Sequence, residues 1–346
     1  MEKYPKITFG IIVLNGEPFT RYCLRSIYPY AHEIIVVEGG HEDARSVCTS
    51  DGHSIDGTLN TLHEFKSKED PENKLTIITR DGFWPKKDEL GRDRTPQSRA
   101  YAERATGDYL WQIDIDEFYK EEDMESILGM IQIDPEITAV TFPTYTFWGS
   151  TDYIVDSLYL KRGAKYYHRL FKWTPGYRYL THEPPTIIDE TGRDLRSKKW
   201  ITGQAMERRD IFMYHYSLLF PFQVEQKVKI YRDEKPSVFG EMVDWASNNY
   251  FKINDPFRVH NVYKYPGWLL RFAKDHPREI KNMMQDIQVG KVSIELRQTD
   301  DVERLLHKWW YPIKVFKYEA QFFLHNSFTK FKRDVKKIFF SAKNSD

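Results

Sequence analysis

Short apolar runs, each closed by a polar or glycine-containing turn, alternate with segments of helical periodicity through the first half of the chain. Ile7 to Leu14 is the first such run; it stops at Asn15-Gly16-Glu17-Pro18, and Phe19 to Tyr28 then carries its apolar residues on one helical face. Glu33 to Val37 and Leu75 to Thr79 repeat the strand pattern, and a helix from about Pro96 to Ala105 leads into the strand Tyr109 to Ile115. Strands separated by helical crossovers predict an α/β fold with a mainly parallel sheet flanked by helices on both faces. Ligands of such sheets bind at the carboxyl ends of the strands, which gathers Asn15, Glu38, Asp81, Asp114 and Asp116 at one edge.

The run Trp111-Gln112-Ile113-Asp114-Ile115-Asp116-Glu117 places three carboxylates at the end of an apolar strand. In extended backbone Asp114 and Asp116 share one face while Trp111, Ile113 and Ile115 point into the core. Adjacent anions need a reason to coexist, and a divalent cation that also holds a phosphate-bearing ligand supplies one. The competing reading is a strand ending in a solvated acidic turn.

Composition narrows the class. A chain of 346 residues can bury a sizeable core, as one large domain with an appendage or as two domains. Its 51 basic and 51 acidic residues cancel, so no global field draws it to nucleic acid. Cys23 and Cys48 are too few for a disulfide framework and lack metal-site spacing, which suits a reducing compartment. Met1 to Pro5 carries no signal-peptide pattern and no stretch approaches the roughly 18 apolar residues of a membrane span, so a cytoplasmic location is expected.

Ile11-Ile12-Val13-Leu14-Asn15, Glu33-Ile34-Ile35-Val36-Val37-Glu38, Ser54-Ile55-Asp56-Gly57-Thr58 and Gly107-Asp108-Tyr109 leading to Asp114-Ile115-Asp116-Glu117 occur in an order and spacing that resembles the family 2 glycosyltransferases of the GT-A fold, a Rossmann-like architecture. The resemblance covers roughly residues 5 to 220. It implies a nucleotide-sugar donor, Mn2+ or Mg2+ on the D-x-D carboxylates, and an inverting single displacement. Asp116 is then the first metal ligand, Asp114 faces the donor ribose or shares the metal, and Asn15, Glu38 and Asp56 line the nucleotide pocket. Two departures stand out: Glu38 occupies the usual place of Asp, and His41 to His53 interrupt the nucleotide loop. Asp56-Gly57-Thr58 also reads as a plain turn and helix cap. Arg99 lies where relatives often carry an Arg-Asn pair, although Ala100 replaces the Asn; its guanidinium is a candidate diphosphate partner, the alternative being a surface arginine.

A second constellation comprises His168-Arg169-Leu170-Phe171, Pro175-Gly176-Tyr177 and Thr181-His182-Glu183-Pro184-Pro185. By the same resemblance Glu183 is the base that takes the acceptor hydroxyl proton, with His182 as an acceptor contact. His215 is a candidate third metal ligand, against the reading of an imidazole packed among aromatics. Sugar rings present apolar C–H faces, which nominates Trp148 and Tyr145 for the acceptor side.

These expectations divide the chain into a catalytic domain, residues 1–221, and a mostly helical region, residues 222–346, broken by several prolines. Ser327 to Lys343 has the pattern of a cationic amphipathic helix, either docked on its own domain or lying peripherally on the inner face of a membrane. The expected activity is transfer of a sugar from a nucleotide-sugar to a glycan or lipid-linked acceptor. The alternatives are a nucleotidyltransferase, disfavoured because Asn15-Gly16-Glu17-Pro18 is neither basic nor glycine-rich, and a non-catalytic carbohydrate-binding protein of the same fold.

Overall fold

The computed structural model describes residues 4–89, 91–92, 95–234, 236–261 and 264–324. The first half runs β1 (Ile7–Val13), α1 (Phe19–Ile27), β2 (Glu33–Glu38), α2 (Thr58–Lys68), β3 (Leu75–Ile78), α3 (Thr95–Ala102) and β4 (Tyr109–Asp114). These four strands are mutually parallel in the order β3-β2-β1-β4. β1 is apolar along nearly its whole length because helices cover both of its faces.

The chain continues through β5 (Glu117–Phe118), α4 (Glu121–Ile133), β6 (Ala139–Trp148), β7 (Ser150–Ser157), β8 (Tyr166–Lys172), β9 (Arg178–Thr181), β10 (Thr186–Ile188), β11 (Trp200–Ile201), α5 (Gly203–Glu207) and β12 (Met213–Leu218). Here the sheet becomes antiparallel: β8 joins β4 to β6, and β7 follows on β6. β12 pairs with β6 in parallel and with β5 in antiparallel fashion, while β9 and β10 form a separate hairpin. The α/β sheet flanked by helices expected from the sequence is therefore present, with its continuous parallel run in the first four strands and further parallel pairing of β11 and β12 with β6.

After α6 (Pro221–Glu234) and α7 (Pro236–Trp245) comes β13 (Gly267–Arg271), then α8 (Arg278–Gln288), α9 (Asp300–Leu306) and a helix over residues 310–324. β13 departs from the helical expectation for this region: it extends the same sheet by pairing with β7. α8 returns to α1, where the Tyr22 hydroxyl donates to Asp286 at 2.8 Å. The cationic segment Ser327 to Lys343 lies outside the described residues. No described helix is long and apolar enough to cross a membrane.

The sheet core is aromatic, with Trp111 of β4 stacked between Phe9 of β1 and Phe142 of β6 at centroid distances of 5.4 and 5.5 Å. On the other face α3 approaches β1 closely enough that a Cβ at Gly10 would stand 2.4 Å from the ring of Tyr101. Tyr101 cannot yield easily, since its hydroxyl is buried and donates to that of Tyr179 at 3.0 Å. Gly10→Ala should therefore destabilise the protein by about 1–3 kcal/mol through overpacking. Gly129→Ala, inside α4 with nothing within 4 Å, should be neutral or stabilising by up to about 1 kcal/mol. Urea unfolding of both variants checks the contrast.

Candidate active site

β1 has β2 on one side and β4 on the other, so the connections wind in opposite directions from it and leave a crevice beyond the carboxyl ends of β1 and β4. In register, Ile12 of β1 faces Asp114 at the end of β4. A cavity of about 880 Å³ opens there, and its lining includes Asn15, Asp114, Asp116, His182, Glu183 and His215.

The three carboxylates after β4 do not share one face. The strand ends at Asp114, a turn carries Ile115 and Asp116, and Glu117 begins β5. Glu117 is fully buried against Arg169 of β8, itself 4% exposed. Arg169 donates to Glu117 through Nε at 2.9 Å and also through Nη2, and Nη2 reaches Asp114 Oδ2 at 2.8 Å. Glu117 Oε2 further accepts the backbone N–H of Asp114 at 3.1 Å. Burial pushes the Glu117 carboxyl up, more than the neighbouring guanidinium pulls it down. The reason for the adjacent anions is thus, in the first place, a guanidinium.

Asp116 faces the other way. Pairing of Glu117 with His215 across β5 and β12 sets the imidazole beside it, His215 Nε2 lying 3.5 Å from Asp116 Oδ1. Gln223 of α6 reaches Asp116 Oδ2 at 3.5 Å while its own Oε1 accepts the N–H groups of Leu219 and Phe220. Burial acts to lower the His215 pKa, but Asp116, with a smaller contribution from Glu117, raises it overall. Among the described residues no three His, Cys, Asp or Glu side chains group closely enough to hold a metal ion. Asp116 and His215 form a two-donor pair of carboxylate and imidazole, whereas Asp114 is turned toward Arg169.

The proposed nucleotide side is organised around the loop that follows β2. Asn15, at φ 55°, donates from its backbone to Ser54 Oγ and from Nδ2 to the Val47 carbonyl, and accepts from Ile55 N–H. Glu38 is fully buried and accepts from His53 Nδ1 at 2.7 Å and Ser54 N–H at 2.8 Å. The side chain of Glu38 holds the inserted loop and is not part of the cavity lining; Gly39, Gly40, His41, Ala44 and Val47 supply that wall. Asp56 accepts from the N–H groups of Glu17 and Thr58 just ahead of α2, which begins at Thr58, and it is outside the cavity lining.

Three further expected positions fall away from the cavity. Arg99 pairs with Asp88 at 3.2 Å. Trp148 is fully buried, donates from Nε1 to the Val259 carbonyl at 3.1 Å, and is covered by Arg297 at 4.4 Å, so its ring is core and cannot meet an acceptor. Tyr145 stacks on Phe212 at 4.2 Å and is likewise outside the lining. His182 does line the cavity, its Nδ1 2.8 Å from Ser98 Oγ, and the exposed Glu183 follows it in the turn between β9 and β10. The sequence pattern gave no role to Arg169, Tyr167, Gln223 or Lys227, all in the cavity wall. For Arg169 a signal was present: it stands inside an apolar strand segment, Tyr166 to Phe171, where a cation needs a buried anion.

No family model and no curated protein matches the chain. Among solved structures, Staphylococcus aureus TarS 1-349 aligns at 15% identity over 41% of this chain and 36% of its own, with a TM-score of 0.29. Mycobacterium tuberculosis glucosyl-3-phosphoglycerate synthase, in complex with Mn2+, UDP and phosphoglyceric acid, aligns at 16% identity over 41% and 43%, with a TM-score of 0.28. Pyrobaculum calidifontis mannosyltransferase PcManGT, in complex with GDP-Man and Mn2+, aligns at 13% over 84% and 82%, with a TM-score of 0.38. The chain thus spans only 36% and 43% of the first two. Likenesses this loose carry no argument about what this chain does.

Arg169→Met should cost about 3–5 kcal/mol in urea unfolding, because Glu117 is left buried without its partner. The double variant Arg169→Met, Glu117→Gln should recover much of that loss. The inserted loop yields a pH dependence. The hydrogen bond to Glu38 raises the His53 pKa above its usual value despite burial, so this pair stabilises fully below about pH 6.5 and the contribution is lost as pH rises through the raised value. Melting temperatures of wild type and His53→Gln should differ most near pH 6 and converge toward pH 9.

Proposed function

We propose that this protein is a GT-A glycosyltransferase that moves a sugar from a nucleotide-sugar donor to a carbohydrate or lipid-linked acceptor by inverting displacement. The observation that carries the reading is convergence: Asp114 and Asp116 at the end of β4, Glu183 between β9 and β10, and His215 of β12, from three separate segments, line one cavity at the switch point of the sheet. Its volume of about 880 Å³ suits a ligand of that size.

Asp116 and His215 would hold the divalent ion, a carboxylate–imidazole pair that suits Mn2+ better than the oxygen-preferring Mg2+, with the remaining positions left for phosphate oxygens. When bound, the ion supplies Lewis-acid neutralisation of the charge that develops on the departing diphosphate. Gln223 and the β5–β12 pairing keep Asp116 and His215 together before any ligand arrives. Asp114, held by Arg169, is oriented at the cavity edge for the donor ribose. Asn15 and the loop clamped by Glu38 form the nucleoside wall. Glu183, exposed in the opposite turn, accepts the proton of the attacking acceptor hydroxyl, and His182, anchored by Ser98, flanks the acceptor.

A panel of nucleotide sugars with Mn2+ or Mg2+ should contain at least one donor that raises the melting temperature with concentration and releases nucleoside diphosphate. Asp116→Asn and His215→Ala should weaken the metal dependence of that stabilisation. Glu183→Gln should lower turnover by about 10²–10⁴-fold while donor binding stays largely intact. If no donor shifts the melting curve, the reading fails; if Glu183→Gln turns over normally, the base lies elsewhere.

A further inference from the structure

The helix over residues 310–324 is apolar on two opposite faces. Tyr311, Val315 and Tyr318 recur at helical spacing and dock against Phe257 and Trp268. On the other side Trp309, Ile313, Phe316, Phe323 and Leu324 form a second stripe that nothing among the described residues covers: Trp309 is 78%, Phe316 69% and Phe323 71% exposed. An open groove of about 450 Å³ runs along this helix, with Lys314 and Lys317 in its lining. A contiguous aromatic patch of this kind is costly in water and marks an interaction surface.

Charge identifies the partner. Beside the stripe the described residues carry Lys308, Lys314 and Lys317 against Glu319, and the sequence that follows, residues 325–346, adds six Lys and Arg against two Asp, in a chain whose 51 basic and 51 acidic residues cancel as a whole. A second copy laid on the stripe would bring like charges together, whereas an anionic lipid surface offers acyl chains to the aromatic rings and phosphates to the lysines. We infer that the exposed face of helix 310–324 seats this protein on an anionic membrane surface, lying in the interface without crossing it. The helix docks on Phe257, and His260 and Asn261, three and four residues further along, are in the wall of the candidate active-site cavity. The seat is thereby built onto the same piece of chain as the site. The inference stands apart from the proposed activity, since lipid binding requires no donor.

Flotation of the full chain with vesicles of phosphatidylglycerol and phosphatidylcholine, compared with phosphatidylcholine alone, tests it. The protein should float with the anionic vesicles at low salt, bind neutral ones far less, and be released by about 0.5 M NaCl, where charges are screened within a few ångström. The combined variant Trp309→Ser, Phe316→Ser, Phe323→Ser should keep the wild-type melting temperature, since all three side chains are exposed. Its partition onto anionic vesicles should nevertheless fall by roughly 30-fold or more as three large apolar groups are withdrawn. Absence of binding to anionic vesicles overturns the inference. So does a variant that binds as wild type, which would leave the contact to the basic residues alone. A wild-type dimer in analytical ultracentrifugation that the variant abolishes would also overturn it, making the stripe an interface between copies.

Discussion

A single buried guanidinium decides where the acidic side chains after β4 go. Asp114, Asp116 and Glu117 fall within four residues of an apolar strand end, an arrangement that would repel itself in a medium of low dielectric constant. Arg169 reaches them from β8, the antiparallel neighbour of β4. Its planar fork addresses both oxygens of Glu117 and one of Asp114, which the point charge of a lysine could not do. With Glu117 drawn inward, the chain is positioned to pair with β12, and that ladder delivers His215 to Asp116. The geometry of the cavity floor is in this sense a consequence of one ion pair made on its hidden side.

The same division between holding and facing recurs at the ends of β1 and β2. Asn15 and Glu38 stand where a ligand of a parallel sheet would meet side chains, yet most of their hydrogen-bonding capacity goes to residues 47–55, in and just after the inserted loop. The loop so anchored presents Gly40, His41, Ala44 and Val47 to the cavity. A wall of glycine backbone and small apolar side chains suits the close approach of a flat ring.

What was legible in the sequence followed from local pattern. β1, β2 and β4 are buried on both faces and read as unbroken apolar runs, so the parallel part of the sheet and the gathering of Asp114 and Asp116 at its edge could be anticipated. Identity of partners could not, because those are set by tertiary contacts: Glu117 and Arg169 are 52 residues apart and Trp148 and Val259 are 111. An aromatic side chain has the same composition whether it lines a sugar groove or fills a core. Only the carbonyl that satisfies the Trp148 indole, and the Arg297 laid over its ring, place it in the core. β13 escaped notice for a related reason. Gly-Trp-Leu-Leu-Arg is short, follows a proline, and becomes a strand because β7 offers it an edge.

That edge bears on the division of the chain at residue 221. α6 supplies Gln223 and Lys227 to the cavity, while Trp245, Tyr250 and Val259 pack with Trp148 and Tyr153 in one core cluster. Without β13, the long strand β7 would present unpaired backbone N–H and C=O groups to solvent, an invitation to edge-to-edge association. Without Val259, the buried Trp148 indole would lose its acceptor, a loss of about 1–3 kcal/mol for one polar group left unsatisfied. The C-terminal region is thus a structural part of the sheet that carries the site. The helix over residues 310–324 inherits that rigidity on one face and leaves the other to water or to whatever replaces water there.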